Sequence, residues 1–154
     1  MEKILRLRNL SEKHREVAGS QSLELARLDE ETDIPVQEGL VVTSEFFEKF
    51  MRQTGLEDTL VGILDGLDPE DVRDVEMRGR QIRAKIREAD MPPGLRRELL
   101  DEYREFAENM EGEASEVTLS PSGTIFGTED VSTARNSREI IDALKKCYTS
   151  VFTD

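Results

Sequence analysis

Along the first third of the chain, apolar positions recur at roughly helical intervals and are then interrupted by a short β-branched run. Ile4, Leu7, Leu10 and Val17, set among charged residues, predict a first helix over residues 2–17 with an uneven apolar side. Gly19-Ser20-Gln21-Ser22 breaks it, and Leu23 to Leu28 predicts a second, short helix. Asp33-Ile34-Pro35 ends that element, because proline disfavours helix in the residue before it. Gly39-Leu40-Val41-Val42-Thr43 predicts a buried strand. Thr43 or Ser44 then caps a helix whose Phe46, Phe47, Phe50 and Met51 lie together, and Gly55 closes it. Leu56 to Leu64 adds another short helical stretch.

Asp68-Pro69-Glu70-Asp71 reads as a helix start, with a side-chain cap, proline at the first position and acids in the first turn. Val72, Val75, Gly79, Ile82, Ile86 and Ala89 step by three and four, giving one long helix that Pro92-Pro93-Gly94 terminates. Leu95, Leu99, Tyr103 and Phe106 mark the apolar side of the next helix. Residues 109–136 change character to glycine, serine and threonine, with Glu116-Val117-Thr118-Leu119 as a strand and Ser120-Pro121-Ser122-Gly123 as a turn. Asn136-Ser137-Arg138-Glu139 is a capping-box pattern with asparagine in the capping place. The final helix carries Ile140, Ile141, Leu144, Cys147, Tyr148, Val151 and Phe152 on one stripe. The expected fold class is α+β, mainly helical with a small β-sheet. The expected organisation is a single domain over 1–154, with 109–136 a flexible, loop-rich segment inside it.

Composition narrows the function classes. The length, 154 residues, suits one domain with a real core. A formal net charge of −13 argues against nonspecific nucleic-acid binding, because a phosphate backbone is repelled overall. No apolar run reaches the length of a membrane span and no signal-peptide core opens the chain, so the expected location is cytoplasmic, with no membrane partner. One cysteine, Cys147, and one histidine, His14, exclude an internal disulfide, cysteine-cluster and histidine-rich metal sites. His14 is expected at the surface of a charged helix, and Cys147 as a small buried hydrophobe. Arg78, Arg80, Arg83, Lys85 and Arg87 are expected on a solvated helix surface. Phe46, Phe47 and Phe50 are expected in the core rather than as a base-stacking platform, and the glutamates from Glu98 to Glu116 on a solvated face and loop.

Three stretches carry a family resemblance. Ile34-Pro-Val-Gln-Glu-Gly-Leu-Val-Val-Thr43, followed by Glu45-Phe-Phe-Glu-Lys-Phe50, is one. The second runs from Ile63 to Phe106, with its long helix, proline break and L-x-x-E-x-x-x-x-Y-x-x-F helix. The third is Leu144-Lys-Lys-Cys-Tyr-Thr-Ser-Val-Phe-Thr-Asp154. In this order they resemble the start of the nucleotide-binding domain of phosphoenolpyruvate synthases and pyruvate phosphate dikinases. The resemblance implies the N-terminal subdomain of an ATP-grasp-like domain. In complete enzymes of the family that domain binds ATP and phosphorylates a histidine on a separate swivelling domain, which passes phosphate to pyruvate.

Such chemistry requires cations and backbone amides around the transferring phosphate. The family's G-G-K-x-x-S-L-G-E motif matches Ala18-Gly19-Ser20-Gln21-Ser22-Leu23-Glu24, which lacks the lysine. The family's V-R-S-S-A-T-A-E-D motif matches Leu119 to Asp130, where no arginine falls in place, and its following glutamine-rich loop is reduced to Ser132–Asn136. By position in these motifs, the resemblance implies Ser20, Ser22, Ser120, Ser122, Thr124, Glu129 and Asp130 as nucleotide-contacting residues. Ser120, Ser122 and Thr124 beside Gly123 form either a small phosphate-binding nest of backbone amides or an ordinary polar turn, and the turn is the favoured reading. Glu129 and Asp130 are too few to make an Mg2+ site by themselves. No catalytic residue and no metal ligand is expected.

The family's second half of the nucleotide site, with its metal-binding acids, and its phosphohistidine and pyruvate domains are not matched. Whether the chain is an enzyme is left open. The leading expectation is a phosphoenolpyruvate synthase-related fragment, inactive alone, with weak or lost binding of ATP and Mg2+. Its expected partner is a protein chain carrying the remaining phosphotransfer domains. The alternative is a non-catalytic interaction or regulatory domain that retained the scaffold. A piece cut from a longer enzyme accounts less well for the missing lysine and arginine, since shortening a chain does not replace residues.

Overall fold

A computed structural model describes residues 3–109, 116–122 and 131–152. The first element is a strand, β1 (Ile4–Arg6), not the start of a helix over 2–17. Two 3-10 turns, Leu7–Asn9 and Glu12–His14, and one helical turn, α1 (Arg15–Ala18), follow. The helical spacing of Ile4, Leu7 and Leu10 misleads because β2 (Leu40–Val42) needs a backbone partner. The two strands pair antiparallel, Ile4 with Val42, Leu5 with Val41 and Arg6 with Leu40. The pairing extends at both ends. Leu7 N donates to Gly39 O at 2.9 Å, and Thr43 N and Oγ1 both donate to Lys3 O at 2.9 Å. Thr43 is thus the residue before α3 (Ser44–Thr54), but its hydroxyl serves the ladder instead of capping the helix.

α2 (Ser20–Glu31) is longer than expected and starts at Ser20, inside the expected break. α3 buries Phe46 and Phe50 completely, and Gly55, at φ 71°, turns the chain into α4 (Leu56–Leu64). The long helix, α5 (Val72–Glu88), begins three residues later than the Asp68 signal suggests. The Asp68 carboxylate accepts from Glu70 N at 3.0 Å in a preceding turn, whereas Asp71 accepts from the Arg73 and Asp74 amides and is the working cap. Ile82 and Ile86 are buried, but Val72 and Val75 are exposed, so the apolar stripe reaches the core only in its second half.

The basic run on α5 is not merely solvated. Arg78 binds Asp74 at 2.8 Å and donates to the carbonyls of Ile63, Asp65 and Gly66, closing the C-terminal end of α4. The hydrogen bond from Arg78 holds the Asp74 carboxyl below its ordinary range. Arg83 donates to Phe152 O, and Lys145 caps the end of α5 through Arg87 O at 2.8 Å and Ala89 O at 3.1 Å. Arg80 and Lys85 do stay exposed. His14 is also not a surface residue. It is buried, and its Nδ1 accepts from Ser11 N at 3.0 Å.

α6 (Pro93–Glu108) buries Leu95, Leu99, Leu100 and Phe106. The expected strand near 117 is present as β3 (Val117–Leu119). Its partner β4 (Ser132–Ala134), where only a reduced loop was expected, pairs Val117 with Ala134 and Leu119 with Ser132. α7 (Ser137–Thr149) starts at Asn136, whose side chain accepts from the Arg138 and Glu139 amides. Glu139 answers by accepting from Asn136 Nδ2 and Arg135 N, a near-complete capping box. Cys147 is half-buried rather than buried, and Val151, in the closing 3-10 turn Ser150–Phe152, is exposed. The fold is therefore α+β, mainly helical, with two small antiparallel sheets.

Side chains pack into two hydrophobic clusters. The larger joins α3 to α7 through Phe46, Phe50, Leu60, Ile86, Leu95 and Ile141. The smaller gathers Leu5, Leu7, Leu10, Ala18, Leu23, Ala26 and Val41. Within the larger, Tyr148 lies 4.5 Å from the Phe47 ring and 5.8 Å from the Phe50 ring, centroid to centroid. Its hydroxyl is buried with no hydrogen-bond partner, which costs about 1–3 kcal/mol. Burial raises its ionisation well above the ordinary tyrosine value, with the neighbouring Cys147 adding to the effect.

Two predictions follow from this packing. Tyr148→Phe, which deletes the unpartnered oxygen, should raise stability in urea unfolding at pH 7 by about 1 kcal/mol. In the native chain, stability should fall above about pH 10, by about 1.4 kcal/mol per pH unit, because the unfolded tyrosine releases its proton and the folded one keeps it. The variant should lack that component of the alkaline decline, and equal declines would count against the burial. Separately, Asn136→Ala should lower stability by about 1 kcal/mol through loss of the α7 cap.

Candidate functional site

Two of the serines picked out by the sequence, Ser22 and Ser122, meet at the start of α2. Ala18 ends α1 in the smaller cluster, and Gly19 follows with φ 80° and ψ 158°, a conformation essentially reserved for glycine. α2 starts at once, with Ser20, Gln21 and Ser22 as its first three residues. Gly19 has no side chain to cap the helix, and the first turn contains no acid. The Ser22 amide, one of the donors that a helix start leaves without an intrahelical partner, donates to Ser122 Oγ at 3.2 Å. Ser22 Oγ donates to the same oxygen at 2.9 Å. These contacts join residues 100 positions apart.

Gly19 is essential to this approach. A Cβ there would lie 2.6 Å from Ser122 Oγ and 2.9 Å from Ser122 O, closer than nonbonded atoms tolerate. Ser22 is buried, whereas Ser20 and Ser120 are exposed and take no part in the contact. Thr124, Glu129 and Asp130 lie outside the described residues, as does Gly123 of the suggested nest. Sequence reasoning named both serines of the contact but not the contact itself. The available signal was Gly19, a lone glycine directly before a helix.

The chemistry of this place is that of neutral donors. Amides at the start of α2 carry the partial positive charge of a helix N-terminus. Neither the first turn of α2 nor residues 116–122 contains a lysine or arginine. The cationic charge that phosphoryl transfer demands is therefore not supplied by these two stretches themselves. Among the described residues, no three His, Cys, Asp or Glu side chains come together to hold a metal ion. Two surface clefts lie elsewhere. One of about 180 Å³ is lined by Arg6, Arg8, Asp29, Val36 and Phe106, with the Arg6 guanidinium 5.0 Å from the Phe106 ring centre. The other, about 310 Å³, is lined by Lys3, Arg6, Glu98, Glu102 and Glu105, and Lys3 pairs there with Glu98.

Residues 15–154 match the family model for the AMP/ATP-binding domain of pyruvate phosphate dikinase. The chain belongs to this family. Curated relatives include the phosphoenolpyruvate synthase of Aquifex aeolicus, 29% identical over 130 residues that cover 79% of this chain and 15% of the relative. The probable phosphoenolpyruvate synthase of Methanocaldococcus jannaschii is 30% identical over 164 positions, covering 99% of this chain and 14% of the relative. The Helicobacter pylori phosphoenolpyruvate synthase is 24% identical over 159 positions, covering 96% of this chain and 20% of the relative. The chain thus spans a small part of the length of the curated relatives it matches.

Within the pyruvate phosphate dikinase AMP/ATP-binding family, the lysine of the first motif falls on one of two positions here. Aligned on the glycines it falls on Ser20, and aligned on Ser22-Leu23 it falls on Gly19. Gly19 has no room for any side chain, but Ser20 is exposed and does. The described donors, the Ser22 amide and the two serine hydroxyls, suit hydrogen bonding to an oxygen.

Substitution separates these positions. Gly19→Ala should cost about 2 kcal/mol or more in denaturant unfolding, from backbone strain together with the collision at Ser122. Ser20→Lys should stay within about 0.5 kcal/mol of the native chain. A harmless Gly19→Ala would mean that residue 122 does not sit against Gly19.

Proposed function

We propose that this chain is a phosphoenolpyruvate synthase-related nucleotide-binding scaffold that binds ATP weakly at most and transfers no phosphate alone. The observation that carries this reading is the direct seating of Ser122 on Gly19 and Ser22. The described parts of the two segments that match the family's phosphate-facing motifs, 18–24 and 119–122, touch each other through neutral hydroxyl and amide groups and contain no lysine or arginine. In that family setting, phosphoryl transfer depends on charge stabilisation, which hydroxyls supply poorly. On this reading phosphate transfer needs further phosphotransfer domains, continuous with these 154 residues or carried on a partnering chain, and the location is cytoplasmic. No helix among the described residues is long and apolar enough to cross a membrane.

A second reading, a non-catalytic interaction or regulatory domain, is favoured by one observation. Val61, Val72 and Met77 on α4 and α5 are exposed, by 70%, 68% and 52%. Where such side chains adjoin on two packed helices, they make a surface suited to a protein partner.

The deciding measurement is a titration with ATP and Mg2+, following backbone amide chemical shifts of the labelled chain. The native chain should show no saturation below about 1 mM ATP, equivalent to less than about 4 kcal/mol of binding. Saturable shifts at micromolar ATP, centred on Gly19–Leu23 and Ser120–Ser122, would overturn the proposed loss. Ser20→Lys, which places a cation beside the first turn of α2, should tighten whatever binding exists by several-fold, about 1 kcal/mol.

A further inference from the structure

α2 has no cap of its own, and the bond an N-cap side chain ordinarily makes is supplied by Ser122. An acceptor hydroxyl on the amide of the third helical residue is the usual capping geometry, here delivered from another part of the chain. The two ends of this contact belong to different packed units. Leu23, next to Ser22, is buried in the smaller cluster, while Leu119, three residues before Ser122, packs on the larger one. The units also meet at the β1–β2 ladder, whose residues alternate between them, and where α1 lies against α3. β1 is itself fastened to α6 by Lys3–Glu98 and by Arg6, which reaches Glu105 at 3.5 Å.

We propose that the Ser22–Ser122 contact is a latch between the two units. While it is made, it holds the first turn of α2 against the β3–β4 hairpin. Once it is broken, the first turn of α2 moves away from the hairpin, while the ladder, fastened through β1 to α6, and α1, lying against α3, stay in place. Gly19 makes the latch possible from the other side, because only a residue without Cβ lets Ser122 seat so closely. The consequence for nucleotide rests on the reading given under Proposed function. The described motif residues Gly19, Ser22 and Ser122 touch while the latch is made, and its release governs access of nucleotide to the amides at the start of α2.

The test is amide hydrogen exchange of the full chain without ligand, comparing the native protein with Ser122→Ala. Removing both bonds should speed exchange about tenfold at Ser22 and Leu23, and also along α2 and in β3–β4. Amides of α3 and α5 in the larger cluster should keep their native rates. Ser22→Ala, which removes only the hydroxyl bond, should give a smaller acceleration over the same residues. Acceleration confined to the Ser22 amide would show an ordinary local cap and overturn the latch, as would no change. A second arm adds ATP with Mg2+ to Ser122→Ala. New saturable shifts at Ser20–Leu23 would support control of access. Accelerated exchange without such shifts would leave the latch standing and sink the nucleotide consequence.

Discussion

Ile4 and Leu5 are neighbours in sequence yet lie in different hydrophobic clusters, and only an extended backbone sends successive side chains to opposite sides. The same alternation on the partner strand sends Leu40 and Val42 one way and Val41 the other. The β1–β2 ladder is therefore a shared wall, and both clusters depend on it. Three residue pairs make a short ladder, and a two-stranded sheet is marginal alone. Its stability comes from the apolar cover on each face and from the extra bonds at Leu7 and Thr43. A one-residue slip would exchange the two faces and misplace both clusters at once. The position of α2, and so of Ser22, follows from this wall.

The larger cluster was legible from sequence because its signals are local. Phe46, Phe47 and Phe50 repeat at helical spacing, Gly55 supplies the left-handed residue that ends α3, and Asn136 with Glu139 announces α7. The N-terminal part was misread because Ile4, Leu7 and Leu10 mimic a helix, while the deciding partner, Leu40–Val42, lies more than thirty residues away. Residues 132–134 were misread for the same reason. Ser-Thr-Ala has little strand character by itself, and pairing with β3 plus the packing of Ala134 make the strand. His14 and Arg78 show the matching limit for polar residues. Both sit among charged neighbours in sequence, yet their roles are fixed by Ser11 and by the carbonyl end of α4.

The candidate site divides along the same line. Family motifs identified Ser22 and Ser122 from residue type and order, without any knowledge of distance. That the two hydroxyls meet at 2.9 Å is a tertiary fact, set by where α2 leaves the smaller cluster and where β3 leaves the larger. The loss of the lysine was legible, but its structural counterpart was not. Gly19 is held by its backbone angles and by Ser122, so in one of the two alignments the position has become unable to carry a side chain.

Charge decides how much nucleotide affinity such a place retains. A helix N-terminus offers roughly half a unit charge, and its effect fades within a turn. Polyphosphate brings several negative charges to a chain whose own net charge is −13, so the background is repulsive over a Debye length of about 8 Å. A neutral hydrogen bond in water contributes about 1 kcal/mol net, and bonds to charged groups about twice that. Two or three such bonds, opposed by the overall field and by the two bonds from Ser22 to Ser122 that they must replace, leave little net attraction. An intramolecular hydroxyl has no such field to overcome and is tethered at high effective concentration. On the proposed reading, this balance leaves the chain's own serine holding the place in preference to a phosphate, and a cation placed beside it shifts the preference.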